Sequence, residues 1–589
     1  MNKPFDRFNI SSKYHPFLEN LSENAGKDDR MPFIGREKEL EAVMETLLRR
    51  LKNNLLLVGE PGVGKTALIT ELAARINKKM VPPALRGRTI LEFSMNMFLY
   101  SRDSVEILVK DLEKLFSQIK RHKDKIILFL DEMQVSSVSI SASAPGTKNR
   151  LDPVQNLLKS YVANRELSII AATTPENYYK SIKSDEIFSL NFCPVLLDEP
   201  GEPEMLDILK GIKPYFENYY SLRIPGGLFG KMVFLLQRFI PHRAFPHKAV
   251  DLLDMACSRA SLKQRQALSI DIIYQSISDI SRLPLHIVKT DPREHRKKIH
   301  EFLEKHVVNQ VSAMEELSRI IRLSGLETHI DKTRPAGIFL FLGPAGVGKS
   351  YVAGKIAQYL FGSEEKLRVI DLRDSKNPGD FQKLIGDDPS TPGALTREVD
   401  HHPFSVILFE NIGEAHASVL GSLGTILTKG QIIDTSGKKH FISNTIFILS
   451  LTSIGEEKAG SQIGFVKGDF ISREIVIHPK IMDVLDWMDE IIEFSPLSAD
   501  HLKQVAGKKM KALKDEIKKK YDSEVIVGEN VFNAISQESL LEGGFAHTVL
   551  EKIERKIKIK LLDLITKTGN TRKFEIYMKA DTIEIKTNA

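Results

Sequence analysis

Cysteine is nearly absent: Cys193 and Cys257 are the whole complement in 589 residues. They offer neither a disulfide framework nor the spacing of a metal site, so a reducing cytoplasm is the expected compartment. Long apolar runs are missing as well. No stretch approaches the roughly 20 residues that span a bilayer, which argues against a membrane partner. The N-terminal Met1-Asn-Lys-Pro-Phe-Asp-Arg lacks the apolar core of a signal peptide. Charge of one sign is scarce too. The 83 basic and 77 acidic residues leave a net +6, small for this length, which argues against nucleic acid as a partner. A chain this long exceeds one core, and about three or four domains are expected.

A phosphate-binding signature is present twice. Gly59-Glu-Pro-Gly62-Val-Gly64-Lys65-Thr66 and Gly343-Pro-Ala-Gly346-Val-Gly348-Lys349-Ser350 both fit the P-loop pattern. Each follows an apolar run, 55–58 and 338–342. Polyphosphate chemistry needs this loop. Glycines let successive backbone N–H groups converge on phosphates, the lysine meets the terminal phosphates, and the hydroxyl of Thr66 or Ser350 holds Mg²⁺. Two matches, each between a strand-like and a helix-like run, make nucleotide binding the expectation, with ATP and Mg²⁺ as cofactors.

The rest of the chain organises around these loops. Buried parallel strands read as continuous apolar runs. Such runs recur at 55–58, 126–130 and 168–172, and again at 338–342, 406–409 and 446–449. A mostly helical segment follows each set, about 204–262 and 498–565. The fold class expected is α/β: two tandem P-loop modules, each a parallel-sheet nucleotide-binding domain followed by a mostly helical lid. The domains expected are an N-terminal segment 1–30, the first α/β domain 31–200, its lid 201–283, a linker 284–310, the second α/β domain 311–497 and a C-terminal lid 498–589. Phe574-Glu-Ile-Tyr-Met and Thr582-Ile-Glu-Ile alternate like paired edge strands. The Ser-rich 135–149 reads as a mobile loop. The basic runs 293–298 and 508–520 read as solvated helix faces.

At Phe33-Ile-Gly-Arg-Glu, Leu48-Arg-Arg-Leu-Lys-Asn-Asn, Val81-Pro-Pro-Ala-Leu-Arg-Gly-Arg88 and Pro246-His-Lys-Ala-Val-Asp-Leu-Leu-Asp254, the first module resembles the Clp family of AAA+ proteins. The second continues the likeness in Leu384-Ile-Gly386, Pro403-Phe-Ser-Val-Ile-Leu-Phe409 and Asp489-Glu-Ile-Ile-Glu-Phe494. The likeness runs from about residue 15 to the C-terminus. The family's N-terminal substrate domain and the coiled-coil middle domain of its disaggregase branch are missing, and the layout is closest to the two-module regulatory subunits of the Clp peptidase. The resemblance implies a hexameric ring of self or related Clp subunits, nucleotide between subunits, and pore loops that pull protein substrates through.

The resemblance assigns residues. Ala67 joins the first P-loop. Leu128-Phe-Leu-Asp131-Glu132 looks like a Walker B strand, with Asp131 ordering Mg²⁺ and Glu132 polarising the attacking water. Thr174 occupies the position of sensor 1. The family's arginine fingers are replaced by Ser189-Leu190-Asn191-Phe192, so hydrolysis at the first site is expected to be slow unless another cation substitutes; Lys183 and Arg165 are near in sequence. In the second module Glu410 remains for Mg²⁺, but Asn411 replaces the catalytic carboxylate. Trp487 stands at the finger position, His547 at sensor 2 and Thr452 at sensor 1. Nucleotide binding without turnover is expected there. The second pore loop, 384–395, has lost its aromatic. In the first, Tyr100 is the candidate substrate-gripping residue, with packing of Phe98 and Tyr100 at the sheet edge the other reading. Ile463-Gly464-Phe465 sits where the family carries its peptidase-docking tripeptide.

Two functions follow. One is an ATP-driven unfoldase subunit feeding a Clp-type peptidase, with hydrolysis at the first site only. The other is a largely inactive paralogue that joins or regulates a ring containing a complete Clp ATPase. Without the N-terminal domain, substrate recognition falls to residues 1–30, to an adaptor or to the pore.

Overall fold

The computed structural model describes residues 5–26, 30–101, 104–131, 148–291, 296–323, 334–386, 391–434, 439–452, 464–465, 476–477, 482–568, 573–579 and 582–588. Two compact units divide the chain, Met1–Val288 and Lys289–Ala589. Each contains one P-loop.

The first unit is built on the strands β1 (Leu18–Asn20), β2 (Asn54–Gly59), β3 (Thr89–Phe93), β4 (Ile126–Leu130), β5 (Ile169–Thr173) and β6 (Phe192–Leu197). Their order is β1-β3-β4-β5-β2-β6. Every pair is parallel except β1 with β3. Parallel neighbours need crossover connections, and the helices Lys65–Asn77, Val105–Lys120 and Lys148–Ala163 supply them. These helices cover both sheet faces, so β2, β4 and β5 are buried along their whole length. That is why they read as unbroken apolar runs rather than alternation. Leu68, Ile69 and Leu72 pack one face, and Leu112, Phe116 and Leu158 the other. The lid that follows is helical, at Glu202–Tyr220, Leu228–Phe239, His247–Leu262 and Ile270–Ser281.

The N-terminal segment packs onto the first module. Phe5, Phe8, Ile10, Tyr14 and Leu18 are buried in the same core as Phe116. The Tyr14 hydroxyl donates to the Asp111 carbonyl at 3.0 Å, and β1 extends the sheet past β3.

The second unit repeats the sheet. Its strands are β7 (Gly337–Gly343), β8 (Leu367–Asp371), β9 (Val406–Glu410), β10 (Gln431–Ile433), β11 (Lys439–Phe441), β12 (Ile446–Thr452), β13 (Gly464–Phe465), β14 (Val476–Ile477), β15 (Glu490–Glu493), β16 (Glu524–Val527), β17 (Lys573–Lys579) and β18 (Thr582–Asn588). The main sheet runs β15-β7-β12-β9-β8, matching β6-β2-β5-β4-β3 strand for strand. The C-terminal lid combines the helices Ala499–Tyr521, Glu529–Leu541, Ala546–Ile553 and Ile559–Thr568 with a three-stranded sheet. The two terminal strands pair antiparallel as β17 and β18, and β16 adds in parallel, a partner too short to be read from sequence.

Of the basic run 293–298, only 296–298 are described. The expected solvated face fails at Arg296. Its guanidinium is largely buried, donates to the Ile321 carbonyl at 3.3 Å, and has its pKa lowered by that burial. Of the expected loop 135–149, residues 135–147 lie outside the described residues, and Lys148 and Asn149 already belong to a helix.

Candidate functional site

Each P-loop joins a central strand to a helix. In the first loop Gly62 and Gly64 adopt φ of +90° and +98°. These are left-handed values that glycine takes at little cost. The helix Lys65–Asn77 starts directly behind, and Lys349–Phe361 does so in the second module. Helix N-termini turn N–H groups and the positive dipole end toward the loop, which suits a phosphate. The Lys65 ammonium donates to the Gly59 and Glu60 carbonyls at 2.8 and 3.1 Å. Lys349 donates to the Gly343 and Pro344 carbonyls, both at 2.7 Å.

Next to each lysine a hydroxyl meets a carboxylate. Thr66 Oγ1 donates to Asp131 Oδ2 at 2.8 Å, and Ser350 Oγ donates to Glu410 Oε1 at 2.6 Å. The pairing follows from sheet order, because β5 alone separates β2 from β4, and β12 alone separates β7 from β9. A hydroxyl and a carboxylate beside a phosphate cradle are the hard oxygen ligands that Mg²⁺ takes, usually together with substrate phosphates. The residues present therefore fit a magnesium nucleotide at both loops. Ala67 stands in the first helical turn, on its exposed side.

The sites differ in burial. Lys349 is only 7% exposed. Burial pushes its ammonium down to about 8, against the attraction of Glu410. Near the first site lies an acid not singled out from sequence, Glu92 on β3. Burial, then Asp131 and the cross-strand Glu19, push its carboxyl up to about 7. The signal available was an acid inside the apolar Ile90-Leu91-Glu92-Phe93.

The residues beyond the Walker strands diverge further. Glu132 lies outside the described residues. Asn411 takes φ +58°, a conformation that Asn tolerates through its short polar side chain. Its amide donates to Asp371 Oδ1 at 2.9 Å. Arg373 Nε grips Asp371 Oδ2 at 2.7 Å. Arg373, with help from Asn411, holds the Asp371 carboxyl well below the ordinary range. Thr174 follows β5 and caps the next helix, its Oγ1 accepting from Asn177 N at 3.3 Å. Thr452 ends β12 opposite Gly343.

The finger positions themselves carry uncharged side chains. Ser189 and Asn191 end the helix Glu186–Asn191. Asn191 donates back to the Ile187 carbonyl at 2.8 Å, and Lys52 donates to the Ser189 carbonyl at 3.0 Å. Lys183 sits over the Tyr179 ring at 5.1 Å, and Arg165 lies at the end of another helix in a left-handed turn, φ +52°. Trp487 is buried in the core of its own module. A Cβ at Gly424 would lie 2.5 Å from its Nε1.

Both lids touch their P-loops. His247 N donates to the Gly62 carbonyl at 3.2 Å, and Ala546 N to the Gly346 carbonyl at 2.9 Å. The Phe545 ring covers Gly346, and His547 stacks on Phe545 with centroids 5.3 Å apart.

Phe98 is fully buried, in ring contact with Phe17 at 5.2 Å and Phe93 at 5.5 Å, so packing is its role. Tyr100 ends the helix Met95–Tyr100, and its side chain lies outside the described residues. In the second module's loop, Leu384 and Leu395 are buried in the core, while 387–390 are outside the description. Gly464 and Phe465 form β13, paired antiparallel with β14. Ile463 lies outside the described residues, as does the side chain of Phe465. Among the described residues no helix is long and apolar enough to cross a membrane.

Two parallel-sheet modules with P-loops, Walker-type acids and helical lids that reach back onto the loop define a tandem AAA+ protein. Residues 334–526 match the family model of the AAA domain (Cdc48 subfamily), 201–303 an AAA lid domain, and 33–180 the SMAX1 nucleotide-binding domain. The ATP-dependent Clp protease ATP-binding subunit ClpC of Staphylococcus saprophyticus is 27% identical over 97% of this chain and 78% of its own length. The chloroplastic chaperone ClpC1 of Arabidopsis thaliana is 30% identical over 87% of this chain and 64% of its own. A ClpA homologue of Fuscovulum blasticum is 32% identical over 83% and 62%. Among solved structures, the S. cerevisiae Hsp104–ADP complex superposes with a TM-score of 0.75 at 24% identity, over 96% of this chain and 98% of that one. The chain belongs to the Clp/Hsp100 family of AAA+ ATPases.

Proposed function

We propose that this chain is a Clp-type, ATP-driven protein-remodelling subunit in which the first site hydrolyses ATP and the second holds nucleotide as a structural element. The observation that carries the reading is the pair of contrasting Walker ends. The first keeps Thr66 bonded to Asp131, with Glu132 next in sequence. The second replaces that glutamate with an amide that donates to Asp371, whose other carboxylate oxygen Arg373 holds. An amide does not accept a proton from water, so general-base help is lost at the second site. In this reading Lys65 and Lys349 meet the phosphates, and Thr66 with Asp131, and Ser350 with Glu410, hold Mg²⁺, which screens phosphate charge. Thr174 positions the water that Glu132 polarises. Tyr100 grips substrate in the pore of a hexameric ring, and Ile463-Gly464-Phe465 docks a Clp-type peptidase.

The finger positions favour a second reading, a regulatory subunit in a ring with a complete Clp ATPase. Ser189 and Asn191 offer no guanidinium to a neighbour's nucleotide, and an arginine finger is worth about 10³–10⁵ in rate. Steady-state ATPase of the full chain, with assembly followed by light scattering, separates the two. Turnover near about 1 s⁻¹ or above, abolished by Glu132→Gln, supports a motor. ATP-dependent assembly without turnover, lost in Lys349→Ala, supports the regulatory subunit. Turnover that survives Glu132→Gln and vanishes in Asn411→Ala sinks both.

A further inference from the structure

Residues 5–17 lie ahead of the first family match, which begins at residue 33, and they are packed rather than free. They fasten to both helices that flank residues 101–104. Upstream is the helix Met95–Tyr100. Ser94, the N-cap of that helix, donates its N–H to the Phe17 carbonyl at 3.0 Å. The Phe17 ring stands edge-on to Phe98, with centroids 5.2 Å apart. Downstream is the helix Val105–Lys120, whose Asp111 is held twice. The Tyr14 hydroxyl donates to its carbonyl at 3.0 Å, and the Lys13 ammonium to its Oδ1 at 2.9 Å. Further along, Gln118 Oε1 accepts from Ser11 N at 3.0 Å. The Phe8 ring meets His122 just past the helix end, at 5.6 Å. One short segment thus ties down both stems of the turn that follows Tyr100.

The second module lacks this arrangement. Its main sheet ends at β8, with no counterpart of β1 among the described residues, and its loop 384–395 carries no aromatic. The segment therefore accompanies the module that keeps a candidate gripping residue. Fixing the backbone of a residue costs about 1–2 kcal/mol. Stems ordered in advance leave less to order when a substrate chain arrives, which favours binding. We propose that residues 5–17 form a strap that presets the frame of the substrate-gripping turn, with Phe17 as the positioning residue for Tyr100. The inference rests on reading Tyr100 as the residue that grips substrate.

The test compares Phe17→Ala and Phe17→Leu in the full chain. Phe17 is half-buried, and both substitutions leave the deeper anchors Phe8, Ile10 and Tyr14 in place. Hydrogen exchange at 95–100 reads the frame. Anisotropy of fluorescein-labelled casein, with a slowly hydrolysed ATP analogue, reads the grip. Phe17→Ala is expected to speed that exchange about tenfold and to weaken casein about tenfold, with affinity for the analogue unchanged. Phe17→Leu, which keeps an apolar contact, is expected to recover most of both. Unchanged exchange in Phe17→Ala overturns the strap. Faster exchange with casein affinity intact overturns its part in gripping. Affinity for the analogue that falls in step with casein overturns it in favour of general loosening of the module. Tyr100→Ala separates the failures. Casein lost in Tyr100→Ala but not in Phe17→Ala sinks this inference alone. Casein held equally by Tyr100→Ala and its parent, or not bound by the parent, sinks the reading of Tyr100 as well.

Discussion

Thr66 and Ser350 stand at the same point of two loops with the same backbone, and each donates to an acid on the next-but-one strand, at 2.8 and 2.6 Å. One residue past those acids the sites part. The first continues with Glu132 and the second with Asn411. The lids divide similarly. Both bond to the loop's second glycine, Gly62 or Gly346, but one brings His247 there and the other Ala546, with the Phe545 ring over Gly346. Family membership therefore constrains the backbone of a site more tightly than its chemistry. Parallel strand order, left-handed glycines and lid docking are shared because the fold requires them. The residue after the acid differs, Glu132 in one and Asn411 in the other, under the same strand order.

The comparison is most exposed to substitution of the two Walker ends. Glu132→Gln is expected to lower steady-state ATPase by about 10²–10⁴, the range of a lost general base, while Asn411→Ala stays within about twofold of the parent. A large loss in Asn411→Ala would erase the distinction between the sites. The finger position comes next. Trp487 fills core space against Gly424, so Trp487→Ala should destabilise the second unit by about 3–5 kcal/mol in denaturant unfolding. Trp487→Arg, which puts the family's guanidinium back, should cost at least as much, because it buries a charge. A stable Trp487→Arg with faster turnover would show that this position still faces a neighbour.

Lid docking gives a smaller contrast. Gly62 and Gly346 both have positive φ, +90° and +69°, so alanine is strained at either. At Gly346 the new Cβ would also lie 2.5 Å from Phe545, against 3.0 Å from His247 at Gly62. Gly346→Ala should therefore lose about 1–3 kcal/mol more than Gly62→Ala, read as the larger fall in melting temperature. Equal losses would mean that Phe545 moves aside readily.

The smallest effect is a pH dependence at Lys349. Its folded pKa is about 8 against the ordinary 10.5. Below about 8 both states are protonated and the burial cost is constant. Between about 8 and 10.5 the unfolded chain holds a proton that the folded chain releases, so stability without nucleotide rises with pH through that window. Lys349→Met should remove this rise. A rise that persists in Lys349→Met belongs to another group.

Sequence alone determined the strands β2, β4, β5, β7, β9 and β12, because burial on both faces leaves unbroken apolar runs. It also located both phosphate loops, since their glycines, lysine and hydroxyl are adjacent in the chain. Tertiary structure decided what adjacency does not carry. Sequence leaves open whether Phe98, beside the pore candidate Tyr100, packs at the sheet edge; the N-terminal segment closes over it with Phe17. Trp487 reads in sequence as the residue at the finger position, and only the fold shows Gly424 opening a core slot for it. Asn411 reads as a missing base, and only the β8–β9 pairing sets Asp371 opposite Glu410, where the amide finds it. His247 was one residue of a family-like motif until the lid folded back and placed it on Gly62. Local pattern reports which residues must be buried or bent. Which distant side chains meet is fixed by strand order and by how helices pack across it, and no window of sequence contains both partners.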